Sequence, residues 1–151
     1  MRGVVHADGG ARGNPAPAGI GVVLEDGRGR VLAEIAKPIG HATNNVAEYT
    51  ALITGLELAL GKGISDIEVY MDSELVVSQM KGEWKIKNER LRRLAVAAAS
   101  LLGRFDSAKI VHVRRELNAT ADALANRAMD DAARAHDGGR AVEPSQSSLP
   151  E

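Results

Sequence analysis

The sequence predicts an α/β domain: a mixed five-stranded sheet, its first three strands antiparallel, with helices on both faces. Three observations predict it. Three strand-like runs come first, joined by a Gly/Pro-rich loop and a hairpin signal, as in an antiparallel meander. Strand-like and helix-like runs then alternate, as in parallel crossovers. The helix-like runs repeat apolar residues every three or four positions, so each has a face to bury. A chain of 151 residues suffices for one such domain with a proper core.

Gly3-Val-Val-His-Ala-Asp8 alternates, with Val5 and Ala7 on one side and Val4, His6 and Asp8 on the other. Gly9 to Gly19, with Pro15 and Pro17 inside it, reads as a loop. Ile20–Glu25 is the second strand, Asp26-Gly-Arg-Gly29 a hairpin turn, and Val31–Lys37 the third strand, closed by Pro38. Val46, Tyr49, Leu52, Ile53, Leu56 and Leu60 then form the stripe of a buried helix face. Thr43, Asn44 or Asn45 can cap its start, and Gly61 and Gly63 stop it. Asp66–Met71 is a strand and Glu74–Met80 a short helix. Lys81–Lys87 is a connector holding the only Trp, Trp84. Leu91, Leu94, Ala95, Ala98, Leu101 and Leu102 mark a second long helix. Ala108–Val113 is the fifth strand and Arg114–Thr120 a loop. Ala121, Leu124, Ala125, Ala128 and Ala132 mark a last helix that fades near Arg134. The domain is therefore expected at 1–134. Residues 135–151, Gly-, Pro- and Ser-containing without a period, are expected to be a disordered tail or linker stub.

Composition narrows the function. The absence of cysteine excludes a disulfide framework and any thiolate metal site. The N-terminus lacks the apolar core of a signal peptide, and no run approaches the ~20 apolar residues of a membrane span. A cytoplasmic chain without membrane contact is expected. Nineteen Lys plus Arg against 20 Asp plus Glu leave no overall basic footprint for nucleic acid, so any such binding must be local or assisted by cations.

Four acids fall at telling places. Asp8 and Asp72 end strands, Glu48 lies in the first turn of the long helix, and Asp122 lies in the first turn of the last helix. Each alone has a plainer reading, as a turn residue, a cap, or a partner for the positive helix end. Together they differ. Ligands of open sheets gather beyond the strand ends where strand order switches. Four carboxylates meeting there would repel one another without cations. Oxygen-only donors select hard cations such as Mg²⁺ or Mn²⁺, and paired ions about 3.5–4 Å apart serve in-line phosphodiester cleavage. Two such ions would shift the formal charge from -1 to about +3 (-1 plus 4), which favours a nucleic-acid backbone.

Four motifs carry a resemblance: Asp8-Gly-Gly-Ala-Arg-Gly-Asn-Pro15, Thr43-Asn-Asn-Val-Ala-Glu48, Met71-Asp-Ser73, and Asn118-Ala-Thr-Ala-Asp-Ala-Leu-Ala125. In this order and register, from about Gly3 to Met129, they closely resemble the type 1 ribonuclease H family. The connector Gly82–Leu91 looks like the bacterial and archaeal branch that lacks a long basic protrusion. Some bacterial proteins of that branch carry a phosphatase-like domain after this one, so the tail is compatible with a linker to a further domain. A monomer is expected.

The resemblance implies hydrolysis of the RNA strand of RNA–DNA hybrids, leaving 5′-phosphate and 3′-hydroxyl ends. Asp8, Glu48, Asp72 and Asp122 would hold two Mg²⁺ ions, with Mn²⁺ as a substitute. Asn14, Asn44 and Asn45 match contacts to RNA 2′-hydroxyls, with Gly9 and Gly10 letting the backbone come close. Thr43 matches a DNA-phosphate contact, and Trp84 would lie along the DNA strand. The physics agrees: a 2′-hydroxyl both donates and accepts, and an amide can answer either way. Plainer roles, capping for the asparagines and core-edge packing for Trp84, remain open at this stage.

Two departures stand out. Many relatives have a histidine in a flexible loop before the last aspartate. Here Arg114–Asn118 is short and holds none, which leaves Arg115, Glu116 and Asn118 as auxiliary candidates. His112, one step back on the strand, reads as structural. Glu74 stands where many relatives have Gln, and a carboxylate there would contact RNA less readily. Two other classes compete: a non-catalytic nucleic-acid-binding module, and a DNA nuclease of resolvase or integrase type. The intact acids argue against the first and the asparagines against the second.

Overall fold

The computed structural model describes residues 1–138, and the tail expected at 135–151 lies mostly outside the described residues. Five strands form one sheet in the order β3-β2-β1-β4-β5. They are β1 (Arg2–Ala11), β2 (Ala16–Asp26), β3 (Val31–Ala42), β4 (Asp66–Met71) and β5 (Ser107–His112). β1 pairs antiparallel with β2, and β2 with β3. β1 pairs parallel with β4, and β4 with β5. The sheet is therefore mixed, as expected, and the chain leaves the meander for parallel crossovers after β3.

Four α-helices cover it: α1 (Asn44–Gly61), α2 (Glu74–Met80), α3 (Glu89–Leu102) and α4 (Ala119–Gly138). A short 3-10 turn, Arg115–Asn118, precedes α4. α1 lies on the face that presents Val5, Ala7 and Val22, with α3 packed against it. α4 lies on the opposite face, over Gly19 and Gly21 of β2. Val5, Val22, Leu52, Leu56, Ile67 and Val69 are fully buried at the centre of the first layer. Burying six such side chains supplies on the order of 10 kcal/mol before entropy is counted.

Several ends differ from the sequence expectation. β1 continues through Gly9, Gly10 and Ala11, and β2 starts at Ala16, so the expected loop shrinks to four residues. The glycines pair in the ladder, Gly9 with Ile20 and Gly10 with Gly19, because an antiparallel neighbour compensates their weak strand preference. β3 runs past Pro38 to Ala42. Pro38 is tolerated because β3 is an edge strand with one side unpaired, and the register shifts at Ala18/Gly19 opposite it. The last helix begins at Ala119 and runs to Gly138, four residues beyond the expected fading point. Among the described residues no helix is long and apolar enough to cross a membrane.

Candidate active site

β1 and β4 are parallel neighbours from Arg2↔Asp66 to His6↔Tyr70, and then they part. Asp8 stands on β1 just past that split, and Asp72 follows the last residue of β4. Ser73 caps α2 through its hydroxyl, which accepts from Val76 N–H at 3.2 Å. Asp72 is thus released from the capping role it might otherwise fill.

Thr43 caps α1, its hydroxyl accepting from Val46 N–H at 3.2 Å. Glu48 is the fifth residue of α1, so it opens the second turn rather than lying in the first. The helix-end explanation for it weakens accordingly, since that field fades within one turn. Gly9 explains how Glu48 reaches the sheet. A Cβ built on Gly9 would stand 2.2 Å from the Ala47 carbonyl oxygen, so only glycine lets α1 approach this closely. At that approach the Gly9 N–H donates to Glu48 Oε1 at 3.2 Å. The missing side chain of Gly9 therefore makes room for α1, whereas the sequence reading gave that space to the nucleic acid.

Asp8, Glu48 and Asp72 offer carboxylate oxygens that all lie within 4.8 Å of one another. Asp8 and Glu48 are buried and Asp72 is half-buried. Burial, followed by the charges of Glu48 and Asp72 and by Asp122, pushes the Asp8 carboxyl up to about 9. Burial and Asp72 push Glu48 up to about 8, against the Gly9 N–H and the Arg115 guanidinium. Two buried acids that resist ionisation beside a third are a site in want of positive charge. An all-carboxylate donor set suits hard divalent cations.

Asp122 stands apart from this trio, at the side of Asp8. It sits in the first turn of α4, as expected, and takes Arg115 Nη2 at 3.3 Å. Asn118 is 1% exposed, and its Nδ2 donates to the Ala7 carbonyl at 2.9 Å. One amide thus ties the residue before Asp8 to the turn that leads into Asp122. Asn118 Oδ1 has no partner among the described residues. The amide keeps this costly orientation because the reverse would set two oxygens face to face.

These acids floor an open cleft of about 660 Å³. Gly9, Gly10, Asn44, Arg115 and Glu116 also line it. Asn14, Thr43 and Asn45 do not line the cleft, but Asn14 Oδ1 accepts from the N–H of the lining residue Asn44 at 3.1 Å, and Asn44 Oδ1 accepts from Ala11 N–H at 3.3 Å. Both amides use their oxygen as an acceptor for the scaffold, which fixes their orientation. Asn45 is half-buried beside them. Trp84 is 45% exposed on the connector after α2, and it does not line the cleft. Glu74 is exposed in the first turn of α2.

Seven lining residues were not among the site candidates read from the sequence: Ala11, Arg12, His112, Val113, Arg114, Asn126 and Met129. His112, read as structural, is exposed at the cleft. Arg12 reaches across to α4, where it pairs with Asp130 and donates to Asn126 Oδ1 at 3.1 Å. Asn126 and Met129 follow Asp122 by four and seven residues, so the helical period that placed Asp122 was signal enough for both.

Known proteins resemble this chain in sequence and in fold. A family model described as "Reverse transcriptase-like" matches residues 6–128. Ribonuclease HI of Halobacterium salinarum is 52% identical over 132 residues, which are 86% of this chain and 66% of that protein. A bifunctional protein of Mycobacterium tuberculosis is 51% identical over 134 residues, 88% of this chain and 37% of that protein. The chain thus spans about two thirds of the first relative and little more than a third of the second. The crystal structure of LC11-RNase H1 in complex with an RNA/DNA hybrid superposes with a TM-score of 0.81 at 46% identity. That match covers 86% of this chain and 98% of the other.

Proposed function

Because the chain belongs to the ribonuclease H family, we propose that it is an endonuclease that hydrolyses the RNA strand of RNA–DNA hybrids and leaves 5′-phosphate and 3′-hydroxyl ends. The observation that carries this reading is the carboxylate trio within 4.8 Å on the floor of a cleft that Asn44 also lines.

Asp8, Glu48, Asp72 and Asp122 would hold two Mg²⁺ ions, or Mn²⁺ in their place. Bound there, the pair supplies Lewis-acid activation of the attacking water and charge stabilisation for the leaving 3′ oxygen. The chain's own residues do the rest. Asp8 and Glu48 are buried, so each charge interaction they make is stronger than it would be in water. Gly9 N–H and Ala47 backbone fix Glu48 before substrate arrives. Asn118 fixes the separation of Asp8 from Asp122 through the Ala7 carbonyl. Asn14 and Asn44, with Asn45, donate to ribose 2′-hydroxyls, which is how the enzyme tells the strand it cuts from the DNA strand. Thr43 faces a DNA phosphate with the hydroxyl proton that capping leaves over. Trp84 lies against the DNA strand. Arg115, with Glu116 beside it, takes the place of the loop histidine: its guanidinium already reaches Asp122.

The catalytic unit in this reading is the domain expected at 1–134, a cytoplasmic monomer, with α4 continuing to Gly138. The test is one cleavage assay with labelled RNA–DNA hybrid, double-stranded RNA and double-stranded DNA, each with Mg²⁺, Mn²⁺ or chelator. Cleavage confined to the RNA of the hybrid and abolished by chelator is expected. Cleavage of DNA, or none with either metal, would overturn the proposal.

A further inference from the structure

The connector between α2 and α3 has no regular secondary structure, yet it is tied down along its length. Glu83 N–H and Trp84 N–H both donate to the Ser78 carbonyl, at 2.9 Å and 3.3 Å. Gly82 makes the turn between them and α2 with φ +77°. Arg92 Nη2 donates to the Ile86 carbonyl at 2.9 Å. Gln79 Nε2 donates to the Lys85 carbonyl at 3.2 Å, and Gln79 Oε1 accepts from the Tyr49 hydroxyl at 2.7 Å. Tyr49 is fully buried in α1, adjacent to Glu48. A hydrogen-bonded relay therefore runs from the helix that carries Glu48, through one glutamine, to the residue after Trp84. It holds in place a loop whose indole is 45% exposed.

We propose that Tyr49 and Gln79 are positioning residues that hold Trp84 pre-set against the DNA strand of the hybrid. This inference rests on the nuclease reading above. An indole offers a flat apolar face, and deoxyribose, which lacks the 2′-hydroxyl, is the more apolar sugar to meet it. α2 is seven residues long, so the connector begins about 10 Å from Asp72, or roughly three base steps along a duplex. Lys81, Lys85 and Lys87, all exposed, flank the indole and attract the backbone. A loop fixed in advance does not lose its freedom on binding, so the relay acts on affinity and leaves the chemical step alone. Gln79 can do this because an amide both accepts from Tyr49 and donates to Lys85, which no other residue of its size does.

Trp84 is the only Trp, so its emission reports on this loop alone. Gln79→Leu should raise KM for the hybrid by about three- to tenfold, the worth of one or two hydrogen bonds, with kcat within about twofold of the parent. Acrylamide should quench Trp84 more readily in that variant, and its anisotropy should fall. Gln79→Glu keeps the acceptor for Tyr49 but has no N–H for Lys85, so it should behave like Gln79→Leu. Tyr49→Phe should show a smaller shift of the same kind. Trp84→Ala should raise KM by itself, and adding Gln79→Leu to it should change nothing further. If Trp84→Ala leaves KM unchanged, Trp84 does not touch the hybrid and the inference falls. If Trp84→Ala raises KM but Gln79→Leu does not, or if the two effects add, the relay does not act through Trp84. A parent protein that cleaves no hybrid overturns the nuclease reading instead.

Discussion

Replacing Asp8 by Asn should make the metal-free protein more stable while it destroys the activity. The change keeps the volume of a side chain that is 6% exposed and removes one ionisable group. Its neighbours Glu48 and Asp72 present oxygens within 4.8 Å. At an effective dielectric of ~20, each ionised pair at that distance costs about 3–4 kcal/mol. The Asp8 carboxyl, raised to about 9, escapes this at neutral pH by keeping its proton. That escape has its own cost, because the unfolded chain releases the proton near pH 4. An acid whose native pKa is raised contributes stability that is whole below the unfolded value and is lost as pH rises through the native one. The loss approaches 1.4 kcal/mol per pH unit between about pH 4 and pH 9. Structural relaxation absorbs part of it, and a gain of roughly 2–4 kcal/mol for Asp8→Asn at pH 8 remains, or about 5–15 °C in melting temperature. Thermal unfolding followed by circular dichroism in chelator at pH 8 and pH 4.5 measures it. The gain should nearly vanish at pH 4.5. In the parent, Mg²⁺ should raise the pH 8 melting temperature by linkage, and in the variant it should do so much less. A variant no more stable than the parent at pH 8, or equally stabilised at both pH values, would refute the reasoning that these acids strain one another.

Two further substitutions probe the sides of the site. Asn118→Ala strands the buried Ala7 carbonyl and should lower stability by about 1–2 kcal/mol, softened by removal of the unpartnered oxygen. It should also raise the Mg²⁺ concentration for half-maximal stabilisation in the melting assay, and unaltered Mg²⁺ dependence would remove Asn118 from the positioning of Asp8. Arg115→Ala removes a cation that pairs with Asp122. Metal affinity by calorimetry should therefore tighten while turnover falls by up to about a hundredfold. Weaker metal binding would show that Arg115 helps to build the site rather than competing for its acids.

The order of elements was legible because alternation and helical period survive in a sequence whatever the neighbours do. Val5 and Ala7 against Val4, His6 and Asp8 separated the two faces of β1 from five residues alone. The ends were not legible, because pairing decides them. Gly9, Gly10 and Ala16 carry no strand preference of their own and are strands only because an antiparallel partner lies alongside. Pro38 signals a stop in any local reading, yet it is tolerated on β3, the outer strand, which has one side unpaired. The four acids were legible for a different reason. Asp72 and Asp122 sit at the close of a strand and the opening of a helix, and Asp8 and Glu48 lie within a few residues of such points, where a charge stands out.

What lies between the acids was hidden, and it is what gives them their geometry. Gly9 carries two local meanings, a turn and a bare surface, and neither points to α1. Only the 2.2 Å approach of the Ala47 carbonyl shows that it sets the depth of Glu48. Gly21 does the same on the other face, where a Cβ would meet the Ala121 carbonyl at 2.2 Å and push away the helix that carries Asp122. The two helices are thus lowered onto opposite faces of the sheet at glycines of adjacent strands. Both carry their acids to the stretch of β1 just past its pairing with β4. Asn118 then pins one of them to the Ala7 carbonyl. Acids that repel one another cannot draw these elements together, so apolar packing and close backbone approach must overcome the repulsion. That is why removing one of the charges should release stability rather than collapse the fold.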